Sequence, residues 1–331
     1  MVLLGGLIEG GNPPFFESLD DMRRPCALVD RGRHKGAWVM VPRCAAVAAK
    51  RTFTRLCGAG AMSIVALASC AAATARPLRF GVLPLQNPVS LARMFIPLCA
   101  RLTHVLHRPV IFATAPDFAR FMTRANAGLY DIIFLNPFLY RHVRGYRAVV
   151  RIKGLPFIGI VIVRRGSPIR TLTPKTLTGR TIAFPDRRAL AATLMVKEYL
   201  RRQGVVVHRI MRPLYLRNQD SVILAVARGL ADLGGTWPWS LDQEPRALQA
   251  KIRIIARTPA GPEMPIAVRD TLPPATVLAI RRALVGLSDS PAGRKVLSGL
   301  HMPAGFVAAS PGEYAHIRHL VRSPVTGGQT P

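Results

Sequence analysis

Four short loops hold the residues whose types and spacing could do chemistry. They are Pro84-Leu85-Gln86-Asn87-Pro88, Asn136-Pro137-Phe138-Leu139-Tyr140, Pro185-Asp186-Arg187-Arg188 and Arg217-Asn218-Gln219-Asp220-Ser221. Each follows an apolar strand-like run and precedes a helical one. Strand ends of this kind line the ligand crevice of open α/β sheets, where the unpaired N–H groups of helix starts favour anions. Asp186, Asn218 and Asp220 are equally well explained as helix caps. Asn136, beside a proline at a buried strand end, reads as a pocket residue. Arg187 and Arg188 could form a bidentate fork on an oxyanion or could be solvated at a helix start. Trp237 and Trp239 follow Gly234-Gly235 and either wall a ligand cleft or pack between lobes.

Catalytic patterns are missing. The chain has no G-x-x-x-x-G-K-[ST] loop, no G-x-G-x-x-G after a strand, no H-E-x-x-H and no G-x-S-x-G. His104/His107 and His316/His319 have helical i,i+3 spacing, but no third ligand accompanies either pair, so no metal and no catalytic residue is expected. An acid or histidine meeting a Ser or Cys in a cleft would be needed to revive an enzymatic reading.

The elements that must position these loops alternate. Leu78–Leu83, Val110–Ala113 and Asp131–Leu135 read as strands, separated by helices over Ser90–His107 and Pro116–Ala127. The first helix has Leu91, Phe95, Leu98, Leu102 and Leu106 on one face, Ser90 as its expected N-cap and Pro97 as an expected kink. A long extended stretch covers Ala148 to Arg164. The alternation then restarts with strand Thr181–Phe184, helix Ala189–Gln203, strand Arg209–Leu216, helix Ser221–Leu230, apolar Ala231–Gly235 and strand Ile252–Ile255. Three helices and little strand potential are expected from Pro273 to Ser323. Two α/β units in tandem joined through extended segments predict two lobes with a cleft between them. The expected boundaries are 77–163 plus 257–323 for lobe 1 and 164–256 for lobe 2, with a hinge near Val161–Gly166 and Arg257–Gly261. A disordered tail is expected over 324–331.

Composition bounds the class. The chain has 331 residues, is 50% hydrophobic and carries 46 Lys+Arg against 17 Asp+Glu, a formal charge of +29. It can bury a sizeable core and is not a disordered, multi-span or disulfide-scaffold sequence. Residues 40–75 have the order of an export signal: basic Arg43, Lys50, Arg51 and Arg55, an apolar run from Leu56 to Ser69, then small residues. Two processing readings stay open. Cleavage could follow Ala73-Thr74-Ala75, or Leu67-Ala68-Ser69-Cys70 could be a lipoprotein signal with Cys70 lipidated. Translation is then expected to start at Met40, with residues 1–39 a non-native or disordered extension. Residues 1–75 hold nine of the bases and five of the acids, so 37 bases and 12 acids remain, a balance of +25. Cys99 is the single cysteine after the leader apart from Cys70, and burial in a helix is its expected state.

These motifs together resemble the phosphate/phosphite/phosphonate class of periplasmic solute-binding proteins of ABC importers. The resemblance is carried by Phe80-Gly81-Val82-Leu83-Pro84, Ala115-Pro116-Asp117-Phe118, Asp131 through Tyr140, Leu177 through Pro185 and Gln219-Asp220-Ser221-Val222, in order from about Pro77 to Ser323. It implies an α/β fold of two Rossmann-like lobes with a hinge and an inter-lobe cleft, the type II periplasmic binding protein fold. It also implies a small anionic ligand, an ABC permease in the inner membrane as partner, a periplasmic location, no cofactor and no catalysis. Ligand-facing positions by resemblance are Gln86, Phe134, Asn136 with Tyr140 in the same run, the helix start at Asp186–Ala189, and Gln219 with Asp220. The chain departs from the pattern at one place. Where phosphonate binders of this class carry Ser-Thr-Ser-Gly, it has Asp186-Arg187-Arg188-Ala189-Leu190-Ala191-Ala192, and Gln219 stands where a histidine is usual.

Alternative readings are a sensory lobe pair serving a signalling partner, an enzyme on the same fold, and a nucleic-acid binder drawn from the basic charge. The arginines are spread along the whole chain and no basic-aromatic strand motif occurs, so no nucleic acid is expected.

Overall fold

The computed structural model describes residues 76–320. The leader regions 1–39 and 40–75, Cys70 and the tail 324–331 lie outside the described residues. Among these described residues, eleven strands form two sheets. The first has the order β11-β4-β10-β3-β1-β2 and the second β7-β6-β8-β5-β9. In chain order the strands are β1 Leu78–Val82, β2 Val110–Ala113, β3 Ile132–Phe134, β4 Tyr146–Ile152, β5 Ile160–Arg164, β6 Thr181–Phe184, β7 Arg212–Tyr215, β8 Leu233–Thr236, β9 Ile252–Arg257, β10 Pro265–Arg269 and β11 Phe306–Ala308.

Each sheet has a parallel strand trio. In the first, β1 lies between β2 and β3; in the second, β6 lies between β7 and β8. Parallel neighbours need crossovers, which helices supply. An equivalent aspartate pins each trio. Asp131 accepts the Arg79 N–H (2.8 Å) and pairs with Arg76 (2.6 Å). Asp232 accepts the Thr181 N–H (2.8 Å) and pairs with Arg180 (3.1 Å). Antiparallel strands complete both sheets: β10, β4 and β11 in the first, β5 and β9 in the second.

Strand β5 belongs wholly to the second sheet, although the sequence reading ended lobe 1 at Val163. The chain therefore crosses between sheets at 153–159 and returns at 258–264. The two crossings pair with each other. Gly159 N–H donates to Thr258 Oγ1 (2.9 Å), Thr258 N–H to the Gly159 carbonyl (2.9 Å), and Gly261 N–H to the Phe157 carbonyl (2.9 Å). Strands β10 and β11 lie where the sequence showed no strand, because each is short and takes its place only by pairing with distant residues.

The first long helix, α1 (Pro88–Leu106), starts earlier than its pattern suggests. Asn87, not Ser90, is the N-cap, accepting the Ser90 N–H at 2.9 Å, and Pro88 opens the first turn. The helix continues past Pro97, which lacks the N–H that would bond the Arg93 carbonyl. Leu91, Met94, Phe95, Leu98, Cys99 and Leu102 are buried against the sheet. Burial pushes the Cys99 thiol up to about 12, so it stays protonated and inert.

Where one α-helix was expected after β6, a π-helical turn, Leu190–Met195, runs into an α-helix, Val196–Arg202. The turn packs against two glycines. A Cβ on Gly159 would overlap the Ala191 carbonyl oxygen, and one on Gly235 would overlap the Ala192 carbonyl oxygen.

Candidate functional site

The C-terminal ends of β1, β3, β6 and β8 face a common seam between the lobes. Leu85, Phe118, Asn136, Phe157, Ala189, Leu190, Ala191, Ala192, Gln219, Trp237 and Met264 surround the void there. Its volume is about 10 Å³, room for about one water. The lobes meet closely along this seam.

Local sequence builds each wall. Asn136 ends β3 and caps the short helix Pro137–Tyr140, accepting the Leu139 N–H at 2.9 Å. Its side chain is 2% exposed, and its amide donates across the seam to the Arg188 carbonyl at 3.2 Å. Gln219, 3% exposed, begins the helix Gln219–Ala227. Its Oε1 accepts Thr236 Oγ1–H (2.8 Å) and the Trp237 N–H (2.9 Å), and its own N–H donates to the Leu85 carbonyl in the other lobe (2.9 Å). The third link joins Asn87 to Asp220, whose Oδ2 accepts both the backbone N–H (2.9 Å) and the side-chain amide (2.7 Å).

The helix start at Ala189 brings backbone donors. The first helical bonds of this turn run from Thr193 and Leu194 to the Ala189 carbonyl, so the N–H groups of Leu190, Ala191 and Ala192 open the helix without an intrahelical acceptor. Three residues that line the void thus carry peptide N–H groups without an intrahelical acceptor.

The remaining expected residues distribute differently. Gln86 is 4% exposed beside Leu85, and its Oε1 has no hydrogen-bond partner among the described residues. Trp237 lines the void, stacks on Trp239 (4.9 Å between centroids) and meets Phe157 edge-on (5.3 Å). The Trp239 indole donates to the Leu300 carbonyl of the first lobe at 3.1 Å, so lobe packing explains that ring. Asp186 accepts the Arg188 N–H at 2.7 Å, and burial raises its carboxyl above the usual range. Arg187 leaves the seam and lies over the Tyr215 ring at 4.2 Å. Arg188 has its guanidinium 3.8 Å from Asp186.

Two residues stand apart from the void. Phe134 packs on Phe95 at 5.4 Å in the core of the first lobe. Tyr140 meets Tyr314 edge-on, and its hydroxyl accepts the Ala148 N–H at 2.9 Å. Its run continues past the strand end and around the far side of a one-turn helix, which spacing alone did not reveal. Conversely, Leu85, Phe118, Phe157 and Met264, which line the void, and Asn87, which bonds across the seam, were not singled out from the sequence. Asn87 had a signal, the Asn-Pro pair with Ser90 three residues on. The apolar four had none.

The two lobes thus bring strand ends and a helix start together along one shut seam. The family described as ABC transporter, phosphonate, periplasmic substrate-binding protein matches residues 80–314. The chain belongs to that family. It is thus a solute-binding component of an ABC importer, in a family devoted to transport rather than catalysis, and the family implies a periplasmic setting, a small anionic ligand and an ABC permease as partner.

Solved structures share the fold. A binding protein component of an ABC phosphonate transporter from Pseudomonas aeruginosa superimposes with a TM-score of 0.69 at 17% identity, over 74% of this chain and 85% of that one. PhnD1 from Prochlorococcus marinus, in complex with methylphosphonate, gives 0.67 at 14% identity over 74% and 96%. A Xanthomonas citri protein bound to chloride gives 0.59 at 20% identity over 74% and 95%. At these identities the likeness is one of fold. Within it, this family member has no Ser, Cys, His or acidic side chain on the void, and no lysine or arginine among the described residues that line it.

Proposed function

We propose that the protein is exported and captures a small phosphonate-like oxyanion between its lobes for delivery to the permease. The convergence of Asn136, Gln219 and the unpaired Leu190–Ala192 amides on one inter-lobe void carries this reading. Backbone N–H groups at a helix start hold an anion without any charged side chain. In the open form the Asn136 amide exchanges the Arg188 carbonyl for a ligand oxygen. Gln86, with an unpaired buried Oε1, accepts from a protonated ligand oxygen or a bridging water. Asp186, Arg188 and Asp220 shape the mouth; Arg187, Phe134 and Tyr140 support the walls from outside.

The apolar walls Leu85, Phe118, Phe157 and Trp237 favour an alkyl substituent on the anion over free phosphate. Residues 40–75 act as the export signal, with Cys70 lipidated to hold the protein at the membrane, or with cleavage after Ala75. Methylphosphonate, phosphite, phosphate and an alkylsulfonate titrated calorimetrically into the purified protein test the ligand class. Binding of methylphosphonate in preference to phosphate is expected. Saturation by none of the four, with another small molecule raising the melting temperature, would overturn the oxyanion reading while leaving the family assignment intact.

A further inference from the structure

Helix α1 does not have an ordinary surface. Its inward face is core, and a soluble helix would normally turn charges outward. Here the outward stripe is Val89, Arg93, Ile96, Pro97, Ala100 and His104. Val89 is 60% exposed and Ile96 54%. Over 18 residues α1 is long and apolar enough to cross a membrane, yet only 33% of that window is buried. From the neighbouring edge strand β2, Phe112 closes an apolar groove with Pro88, Val89, Ala92, Arg93, Ile96 and Pro97.

The charge around this groove is one-sided. From Arg76 to Pro116 the chain carries five arginines and no aspartate or glutamate; Arg76 pairs with Asp131, while Arg93, Arg101 and Arg108 form no ion pair among the described residues. Arg93 and Arg101 stand on α1, and Arg108 follows its end. An apolar stripe fringed by arginine with no acid suits a surface that offers both hydrocarbon and negative charge. A nucleic acid would use the arginines but leave Val89 and Ile96 in water. A second copy of the chain on a two-fold axis would bring the same uncompensated arginines together. The place where the chain enters fits as well. Arg108 Nε donates to the Arg76 carbonyl at 2.7 Å, so the first described residue sits at the end of this face. A lipid on Cys70 would be six residues upstream, within about 20 Å of extended chain.

We propose that the α1/β2 face of the first lobe docks on an anionic phospholipid surface. The test is flotation of the full chain with vesicles of pure phosphatidylcholine and with vesicles one-third phosphatidylglycerol. The apolar run Leu56–Ser69 contributes to both, so the ratio between them is the readout. A preference of at least about tenfold for the anionic vesicles, falling with salt, is expected, since each basic residue near such a surface is worth about fivefold. Arg93→Glu with Arg101→Glu should lower that ratio by about tenfold or more, and the milder Arg93→Gln with Arg101→Gln by a smaller factor at unchanged melting temperature. Arg209→Glu with Arg228→Glu, exposed on the second lobe, should lower it much less. Equal losses from both pairs would reduce the effect to net charge and overturn the proposal. So would the absence of any anionic preference, a dimer that Ile96→Ser dissociates, or nucleic-acid binding that depends on Arg93 and Arg101 while the vesicle ratio does not.

Discussion

Asn87 of the first lobe donates twice to the Asp220 carboxylate of the second, through its backbone N–H at 2.9 Å and its side-chain amide at 2.7 Å. The same asparagine uses its side-chain oxygen to cap α1. One residue thus ties the start of the first lobe's longest helix to the closure of the cleft. A charge-assisted bond of this kind is worth about 1.5–3 kcal/mol where it is sheltered from water.

Removing the acceptor should therefore open the molecule without unfolding it. Asp220→Ala leaves the α1 cap in place and removes a carboxylate whose other oxygen is buried without a partner. Ligand affinity is expected to fall about tenfold or more by calorimetry, with a larger radius of gyration in solution scattering and a nearly unchanged melting temperature. Asn87→Ala should do the same to affinity and lower stability by about a further 1 kcal/mol through the lost cap.

Asn136 separates capping from closure in another way. Asn136→Asp keeps an oxygen for the Leu139 N–H but turns a donor facing the Arg188 carbonyl into an acceptor. The closed form is penalised and the anion repelled, so binding should weaken by at least about tenfold while the open form retains its cap. Asn136→Ala should lose binding and, in addition, about 1 kcal/mol of stability on thermal denaturation.

Gly235 tests how tightly the helix start is seated. A Cβ there would overlap the Ala192 carbonyl oxygen and crowd the Phe184 ring. Overpacking of this kind costs about 1–3 kcal/mol. Gly235→Ala should lower the denaturation midpoint and shift the Leu190–Ala192 amides enough to abolish ligand binding at concentrations that saturate the parent protein.

Glu244 predicts a pH dependence. Burial, reinforced by the Asp220 charge, raises its carboxyl to about 7, and its Oε1 is buried with no partner. The folded state therefore holds a proton that the unfolded chain releases near its ordinary value of 4.5. Stability is favoured below about pH 4.5, declines as pH rises to about 7 and then levels off. Glu244→Gln should match the parent at pH 5 and exceed it at pH 8, by on the order of 1–3 kcal/mol at most, read as a melting-temperature gap that widens with pH.

Local signals were enough for much of the architecture. The strand–helix–strand order, its restart after the extended stretch and the four strand-end loops follow from hydrophobic period and from the Gly and Pro residues that interrupt it. The place of Asn136 at the seam was legible from an asparagine before a proline at the end of Ile132–Phe134, although its capping of the next helix was not. Cys99 was legible as a core thiol from its place among Leu98 and Leu102 on the buried stripe.

What required the folded chain was pairing over distance. The run Phe157–Val163 is apolar throughout, so nothing in it says which sheet claims it; hydrogen bonds to Leu233–Thr236 and Ile252–Arg257 decide that. The Asn87–Asp220 link spans 133 positions, and each partner alone reads as a helix cap. Arg187 settles on Tyr215 and Tyr140 on Ala148, outside the void, because side-chain direction depends on how a short helix leaves its strand. Composition and period determined the two α/β units and put four polar loops at strand ends. Only tertiary packing decided which donors meet across the seam, because those contacts depend on the register of elements far apart in the chain.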